Sequence, residues 1–173
     1  MSPAIMFGLQ SALGYVAWLL CFRTYIWPRL SAMEPAAAHG VIASLHSFRF
    51  FGLVFVLPGF VGAHLPMGFA VAAAYGDFAT SLLAILALMT IRIRPLFWTL
   101  VISFNLLGAI DILVAYYHGS EFNLPALAGQ LGAGYAIPVL YVPLLMISHT
   151  AAFRLLARRH PKAAAAVATH APA

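Results

Sequence analysis

The sequence predicts an all-α, polytopic integral membrane protein with five transmembrane helices in one bundle, the amino terminus outside and the carboxyl terminus in the cytoplasm. Three observations lead to this prediction. Hydrophobic residues make up 64% of the 173-residue chain and charged residues 8%, and the mean hydropathy is +0.96, outside the range of soluble globular domains. The apolar residues form runs long enough to cross a bilayer. The basic residues stand at the ends of those runs.

Five apolar segments are expected to cross the membrane, because a helix needs about 20 apolar residues to span the hydrocarbon core. The predicted spans are about 4–27, 39–62, 78–91, 96–117 and 135–156. They form a single transmembrane domain over residues 1–159. The alanine-rich segment 160–173 is predicted to be a disordered cytoplasmic tail.

Two segments beside these spans need an interpretation of their own. The first span lacks a basic region at its amino-terminal side and a cleavage site before Arg23, which predicts a retained helix rather than a signal peptide. Residues 63–76 are apolar but contain Pro66 and Gly68, so they are predicted to lie in the interface or to enter the membrane and return. Asp77, directly before the predicted third span, is interpreted as its N-cap.

The distribution of lysine and arginine predicts the orientation. With the amino terminus outside, every basic residue except Arg49 falls on the cytoplasmic side. These residues are Arg23, Arg29, Arg92, Arg94, Arg154, Arg158, Arg159 and Lys162. Because they flank apolar runs instead of covering a soluble face, we expect the bilayer to be the partner and not a nucleic acid.

The second predicted span carries a charge deep within it. His39, His46 and Arg49 are spaced by seven and three residues, which places them on one stripe of a helix. A charge at the bilayer centre costs roughly 2.5 to 3.5 kcal/mol on insertion scales, so it normally faces a partner or a wet cavity. The stripe is therefore predicted to face protein.

The depth of each polar residue predicts which of them meet. With a rise of about 1.5 Å per residue, His46 and His149 both lie roughly 10 Å from the cytoplasmic ends of their spans. Asn105 lies near the depth of Arg49, and Asp111 lies about one to two turns nearer the exterior, within reach of an arginine side chain. We predict one buried constellation of His46, Arg49, Asn105, Asp111 and His149.

The function classes follow from this constellation, since the chain has no Gly-rich phosphate loop, HExxH sequence or nucleophile elbow. We favour a non-enzymatic protein whose polar cluster binds a small ligand or relays protons, as a homo-oligomer or a subunit of a larger membrane complex. One alternative is a b-type haem subunit with His46 and His149 as axial ligands. Another is a structural accessory subunit in which Arg49 and Asp111 only hold helices together.

Four stretches of the chain carry a resemblance to other proteins: LHSFRFFGL, AAYGD, NLLGAIDIL and YAIPVLYVPLLMISH. They resemble segments of an uncharacterised group of small bacterial multi-pass membrane proteins. The resemblance extends over most of the chain and implies a location in the bacterial inner (cytoplasmic) membrane. It implies no activity, cofactor or residue role.

The predicted orientation is tested by reporter fusions along the chain. Fusions after Ala37, Arg94 and Ala163 are expected to report the cytoplasm, and fusions after Met67 and Asn123 the exterior, because arginine and lysine flank only the first group. A cytoplasmic signal at Asn123 would contradict the five-span arrangement.

Overall fold

A computed structural model describes residues 1–158 of the chain, and these residues are helical, without a strand. Among them, five helices are long and apolar enough to cross a membrane: Pro3–Ala32, Pro35–Val56, Met67–Met89, Arg94–Glu121 and Ile137–Ala157. We call them the first to the fifth helix. The predictions for Arg159, Lys162 and the tail 160–173 lie outside the described residues.

The buried apolar residues form two clusters, with polar residues between them in four of the helices. One cluster contains Phe97 and Phe104 and lies at the end of the bundle that carries most of the arginines, which we call the basic end. The other contains Phe55 and Phe69 and lies at the opposite end. The polar residues of the site described below occupy the layer between the two clusters, where the second, third, fourth and fifth helices pack together.

The third helix begins earlier than the sequence suggested. It runs over Met67–Met89 with Pro66 as its N-cap residue, whereas the prediction placed an interfacial segment at 63–76 and a short span at 78–91. The physical reason is that proline fits the start of a helix, and a single glycine such as Gly68 costs only about 1 kcal/mol inside one. Asp77 therefore lies in the middle of this helix, and its interpretation as an N-cap is wrong.

The second helix changes its winding where the charged residue occurs. It is α-helical over Pro35–His46 and continues as a 3₁₀ helix over Ser47–Val56, ending six residues before the predicted boundary at 62. Three residues per turn align every third side chain, and the aligned residues His46, Arg49, Gly52 and Phe55 are all buried. The predicted stripe of His39, His46 and Arg49 is confirmed, because each is 0% exposed.

The fifth helix begins with a π turn over Ile137–Tyr141. Pro143 has no N–H to offer the carbonyl of Val139, and Gly14 of the first helix packs directly against that carbonyl. One turn further along the first helix, the indole of Trp18 donates a hydrogen bond of 2.8 Å to the carbonyl of Leu140. These contacts hold the first helix against the fifth.

Candidate functional site

Arg49 is the centre of the buried polar layer, and its side chain is 0% exposed. Its Nε donates to Asp77 Oδ1 at 2.6 Å, and its Nη2 donates to Asp111 Oδ2 at 2.5 Å. Its Nη1 lies 3.2 Å from the carbonyl oxygen of Gly108 and 3.2 Å from Nε2 of His149. The predicted contact between Arg49 and Asp111 is confirmed, and Asp77 is a second carboxylate partner.

A hydrogen-bonded chain continues from Arg49 into the fourth and fifth helices. A guanidinium group only donates, so Nε2 of His149 accepts from Arg49 and the imidazole carries its proton on Nδ1. That Nδ1 lies 3.0 Å from Oδ1 of Asn105 and donates to it. The amide nitrogen of Asn105 in turn donates to the carbonyl of Val101 at 2.8 Å. His149 is therefore a neutral link between Arg49 and Asn105.

His46 packs beside this chain. Its ring lies 4.1 Å from the ring of His149, centroid to centroid, with 33° between the planes. Its Nε2 is 3.0 Å from the hydroxyl of Ser148, which itself donates to the carbonyl of Leu145. Since that hydroxyl proton is already used, His46 donates through Nε2, and its Nδ1 is a buried acceptor without a hydrogen-bond partner. All five residues of the predicted constellation thus lie together.

The two histidines do not fit the haem alternative in this arrangement. Axial coordination requires the iron and the flat macrocycle to lie between the two imidazole rings, but the rings of His46 and His149 stack on each other at 4.1 Å. Both nitrogens of His149 are also held by Arg49 and Asn105. In the part of the chain that the structure describes, no group of three or more His, Cys, Asp or Glu side chains is arranged to hold a metal ion.

Three glycines make room for the charged side chains. A Cβ at Gly52 would collide with the side chain of Asp77, and a Cβ at Gly76 would collide with the carboxylate of Asp111. A Cβ at Gly108 would lie 2.6 Å from Nη1 of Arg49 and 2.7 Å from Nε2 of His149. The layer therefore depends on the close approach of three backbone segments as well as on charge.

A cavity of about 220 Å³ adjoins the charged layer on the side away from the basic end. Arg49, Asp77 and Asp111 are its charged lining residues. The side chains of Asp77 and Asp111 are 11% and 9% exposed and that of Arg49 is 0% exposed, so all three are largely buried and only the two aspartates keep a small exposed fraction. Its walls are mainly apolar and come from all five helices; they include Phe7, Phe55, Phe69, Ile112, Tyr116 and Val142.

Sequence reasoning missed Asp77 and the cavity. Residues 67–91 contain no proline, and starting the third helix at Pro66 places Asp77 three turns inside it, since 11 residues at 3.6 per turn give about three turns. The position of Asp77 three turns inside a helix was the signal from which its contact with Arg49 could have been predicted. The cavity has no comparable signal, because its walls are ordinary aromatic and aliphatic residues from five separate segments.

Residues 6–157 match a family described as a domain of unknown function, DUF8737. The chain belongs to this family. The matched region includes every residue of the site and all of the cavity wall. No curated protein and no solved structure matches the chain.

The ion pairs of Arg49 with Asp77 and Asp111 predict that substitutions at these three residues destabilise the protein by unequal amounts. Arg49→Met leaves two buried carboxylates without a counter-charge and is expected to lower the free energy of unfolding by about 3 to 5 kcal/mol. Asp77→Asn or Asp111→Asn alone is expected to lower the free energy of unfolding by less, because the remaining aspartate still neutralises the guanidinium. Replacing both aspartates by asparagine is expected to cost more than the two single losses added together. Denaturant unfolding in detergent micelles measures all four variants.

The control for this set is Arg94→Gln, which removes the exposed ion pair with Glu34, leaves the hydrogen bonds from the N–H groups of Ala36 and Ala37 to Glu34 in place, and is expected to change unfolding little. Strict additivity of the two aspartate variants would mean that Asp77 and Asp111 do not share Arg49.

The glycine contacts predict a second effect that does not involve removing a charge. Gly108→Ala is expected to destabilise the protein, because the new methyl group would overlap Arg49, His149 and Thr80 at 2.7 Å or less. Gly8→Ala in the first helix is the matched control, since a Cβ at this position would have no neighbouring atom within 4 Å, and it is expected to be neutral or stabilising by up to about 1 kcal/mol. Equal unfolding midpoints for the two variants would contradict the close packing at Gly108.

Proposed function

We propose that this protein is a multi-pass membrane protein that binds a small amphiphilic molecule in the cavity beside Arg49. The apolar body of the ligand would lie against the aromatic and aliphatic walls, and a cationic or hydrogen-bond-donating end group would meet Asp77 and Asp111. The observation that carries this proposal is the cavity itself, which combines walls of low polarity with two aspartates that line it and keep a small exposed fraction.

Insertion in a bacterial inner membrane, with the basic end in the cytoplasm, is the first part of the proposal. It is supported by five helices of sufficient length and hydropathy and by the clustering of arginines at one end of the bundle. These are Arg23 and Arg29 near the end of the first helix, Arg92 between the third and fourth, Arg94 at the start of the fourth, and Arg154 and Arg158 at the end of the fifth. Arginine is enriched on the cytoplasmic side of membrane proteins.

The charges of the layer indicate the kind of end group. One guanidinium faces two carboxylates, so the formal sum with both aspartates ionised is +1 − 2 = −1. A carboxylate only accepts hydrogen bonds, and the guanidinium is already enclosed by its partners. A ligand that reaches this surface is therefore favoured if it donates hydrogen bonds or carries a positive charge.

The same network favours binding over proton conduction through the bundle. The hydrogen-bonded chain from Arg49 through His149 and Asn105 ends at the carbonyl of Val101, and a carbonyl cannot pass a proton onward by donating. Next to it on the basic side lies the apolar cluster that contains Phe97 and Phe104. The polar layer is therefore accessible from the cavity and bounded by packed side chains on the other side.

A purely structural role is less well supported by this geometry. Protein interiors are close-packed, with few voids larger than a water molecule, and a layer built only to fix helices has no need of a cavity of about 220 Å³. Assembly as an oligomer or within a larger complex stays a prediction. The first helix offers surface for such assembly, since only 11% of its most apolar stretch is buried.

The proposal predicts a ranking among ligands that share one apolar body. 1-Adamantanamine, 1-adamantanol and 1-adamantanecarboxylate differ only in the end group, and we expect affinity to fall in that order because the carboxylates of Asp77 and Asp111 attract a cation and repel an anion. Titration calorimetry on protein in nanodiscs, with empty nanodiscs as the reference for partition into lipid, measures the three affinities.

Two variants separate the cavity from its charges. Ala115→Phe is expected to abolish binding of all three compounds, because Ala115 lines the cavity and the larger side chain occupies its volume. Asp111→Asn is expected to weaken the amine selectively and to narrow its advantage over the alcohol. Equal affinity for the carboxylate and the amine, or no saturable binding of any of the three, would contradict the proposal.

A further inference from the structure

A second recess lies between the first and fifth helices at the basic end, away from the cavity. It has a volume of about 410 Å³. Two exposed arginines and apolar side chains line it together, namely Arg23, Arg154, Leu19, Leu20, Ile147 and Ala151. Trp27 also borders it, with the guanidinium of Arg158 4.8 Å from its ring centroid. We call this recess the arginine groove.

The two arginines of the groove have no acidic side chain left to pair with. The whole chain contains four aspartates and glutamates. All four lie within the described residues and already hold other partners, as follows: Glu34 with Arg94, Asp77 and Asp111 with Arg49, and Glu121 with His118. No acidic side chain of the chain is therefore left for Arg23 and Arg154, and an anion from outside the chain would complement their charge.

The groove has its positive charges at one end and an apolar wall that extends from them, as the headgroup and acyl chains of a lipid require. Guanidinium groups bind phosphate through paired hydrogen bonds. Tryptophan is enriched at the level of the lipid headgroups, and Trp27 stands beside Arg23. From Arg23 the wall runs along Leu20 and Leu19 towards the middle of the first helix, as an acyl chain runs from its headgroup into the hydrocarbon core.

We propose that an anionic phospholipid occupies the arginine groove, with its phosphate between Arg23 and Arg154 and an acyl chain along Leu20 and Ile147. The proposal requires that the helices lie in a bilayer, but it does not require a ligand in the cavity near Arg49. The groove and the cavity share no lining residue, so the two proposals fail or hold separately.

Native mass spectrometry and thermal unfolding of the detergent-purified protein test this proposal with three probes. Dioleoylphosphatidylglycerol is expected to bind and to raise the unfolding temperature. Dioleoylphosphatidylcholine, which has the same acyl chains without the net charge, and glycerol phosphate, which has the anion without the chains, are expected to do neither at equal concentration. Protection by glycerol phosphate as strong as that by the lipid would overturn the proposal in favour of a simple anion site.

The variants use the exposed positions of the groove. Arg23→Gln combined with Arg154→Gln is expected to weaken phosphatidylglycerol binding about tenfold or more. Leu20→Trp, which fills the groove and keeps both arginines, is expected to weaken it as well. Arg92→Gln is the matched control, because Arg92 is also exposed at the basic end but does not line the groove, and it is expected to bind the lipid as the unaltered protein does.

Two results with the variants would also overturn the inference. If Arg92→Gln weakens binding as much as the double variant, the lipid senses the general charge of the basic end and not the groove. If the double variant and Leu20→Trp both keep the affinity of the unaltered protein, the groove is not the binding site. Unfolding temperatures without lipid confirm that each variant is folded.

Discussion

Burial of the Arg49 charge is the constraint on which the centre of this structure depends. A guanidinium removed from water is stable only if its donors and its charge are both satisfied by protein groups. Here two carboxylates, a backbone carbonyl and a neutral imidazole, contributed by three different helices, meet that requirement. One side chain of the second helix therefore links it to the third, fourth and fifth helices.

The backbone geometry follows from the same requirement. The change from α to 3₁₀ winding at Ser47 aligns Arg49 with Gly52 and Phe55 on the face that meets the third helix. Gly52, Gly76 and Gly108 then allow the carboxylates and the guanidinium to approach closer than any Cβ would permit. The glycines and the charges therefore act together, because side chains at these three positions would keep the charged groups too far apart to form ion pairs.

The two ends of the bundle differ in a way that suits separate kinds of ligand. Towards the basic end the interior is packed with aromatic and aliphatic side chains, and the arginines of the groove lie on the surface without acidic partners. Towards the other end the interior opens into a cavity bounded by Asp77 and Asp111. In the two proposals above, an anionic lipid headgroup would complement the first end, and a cationic or hydrogen-bond-donating end group would complement the second.

The sequence by itself determined the helical class and apolar segments near all five long helices, because apolar length is a local property. It also predicted that His46, Arg49, Asn105, Asp111 and His149 lie close enough to meet, since the depth of each follows from the rise per residue. Only the tertiary structure decided that Asp77 joins them, that the rings of His46 and His149 stack on each other, and that a cavity adjoins the charges. These features depend on helix register and on contacts between residues far apart in the chain, such as Arg49 with His149, and no local pattern encodes those distances.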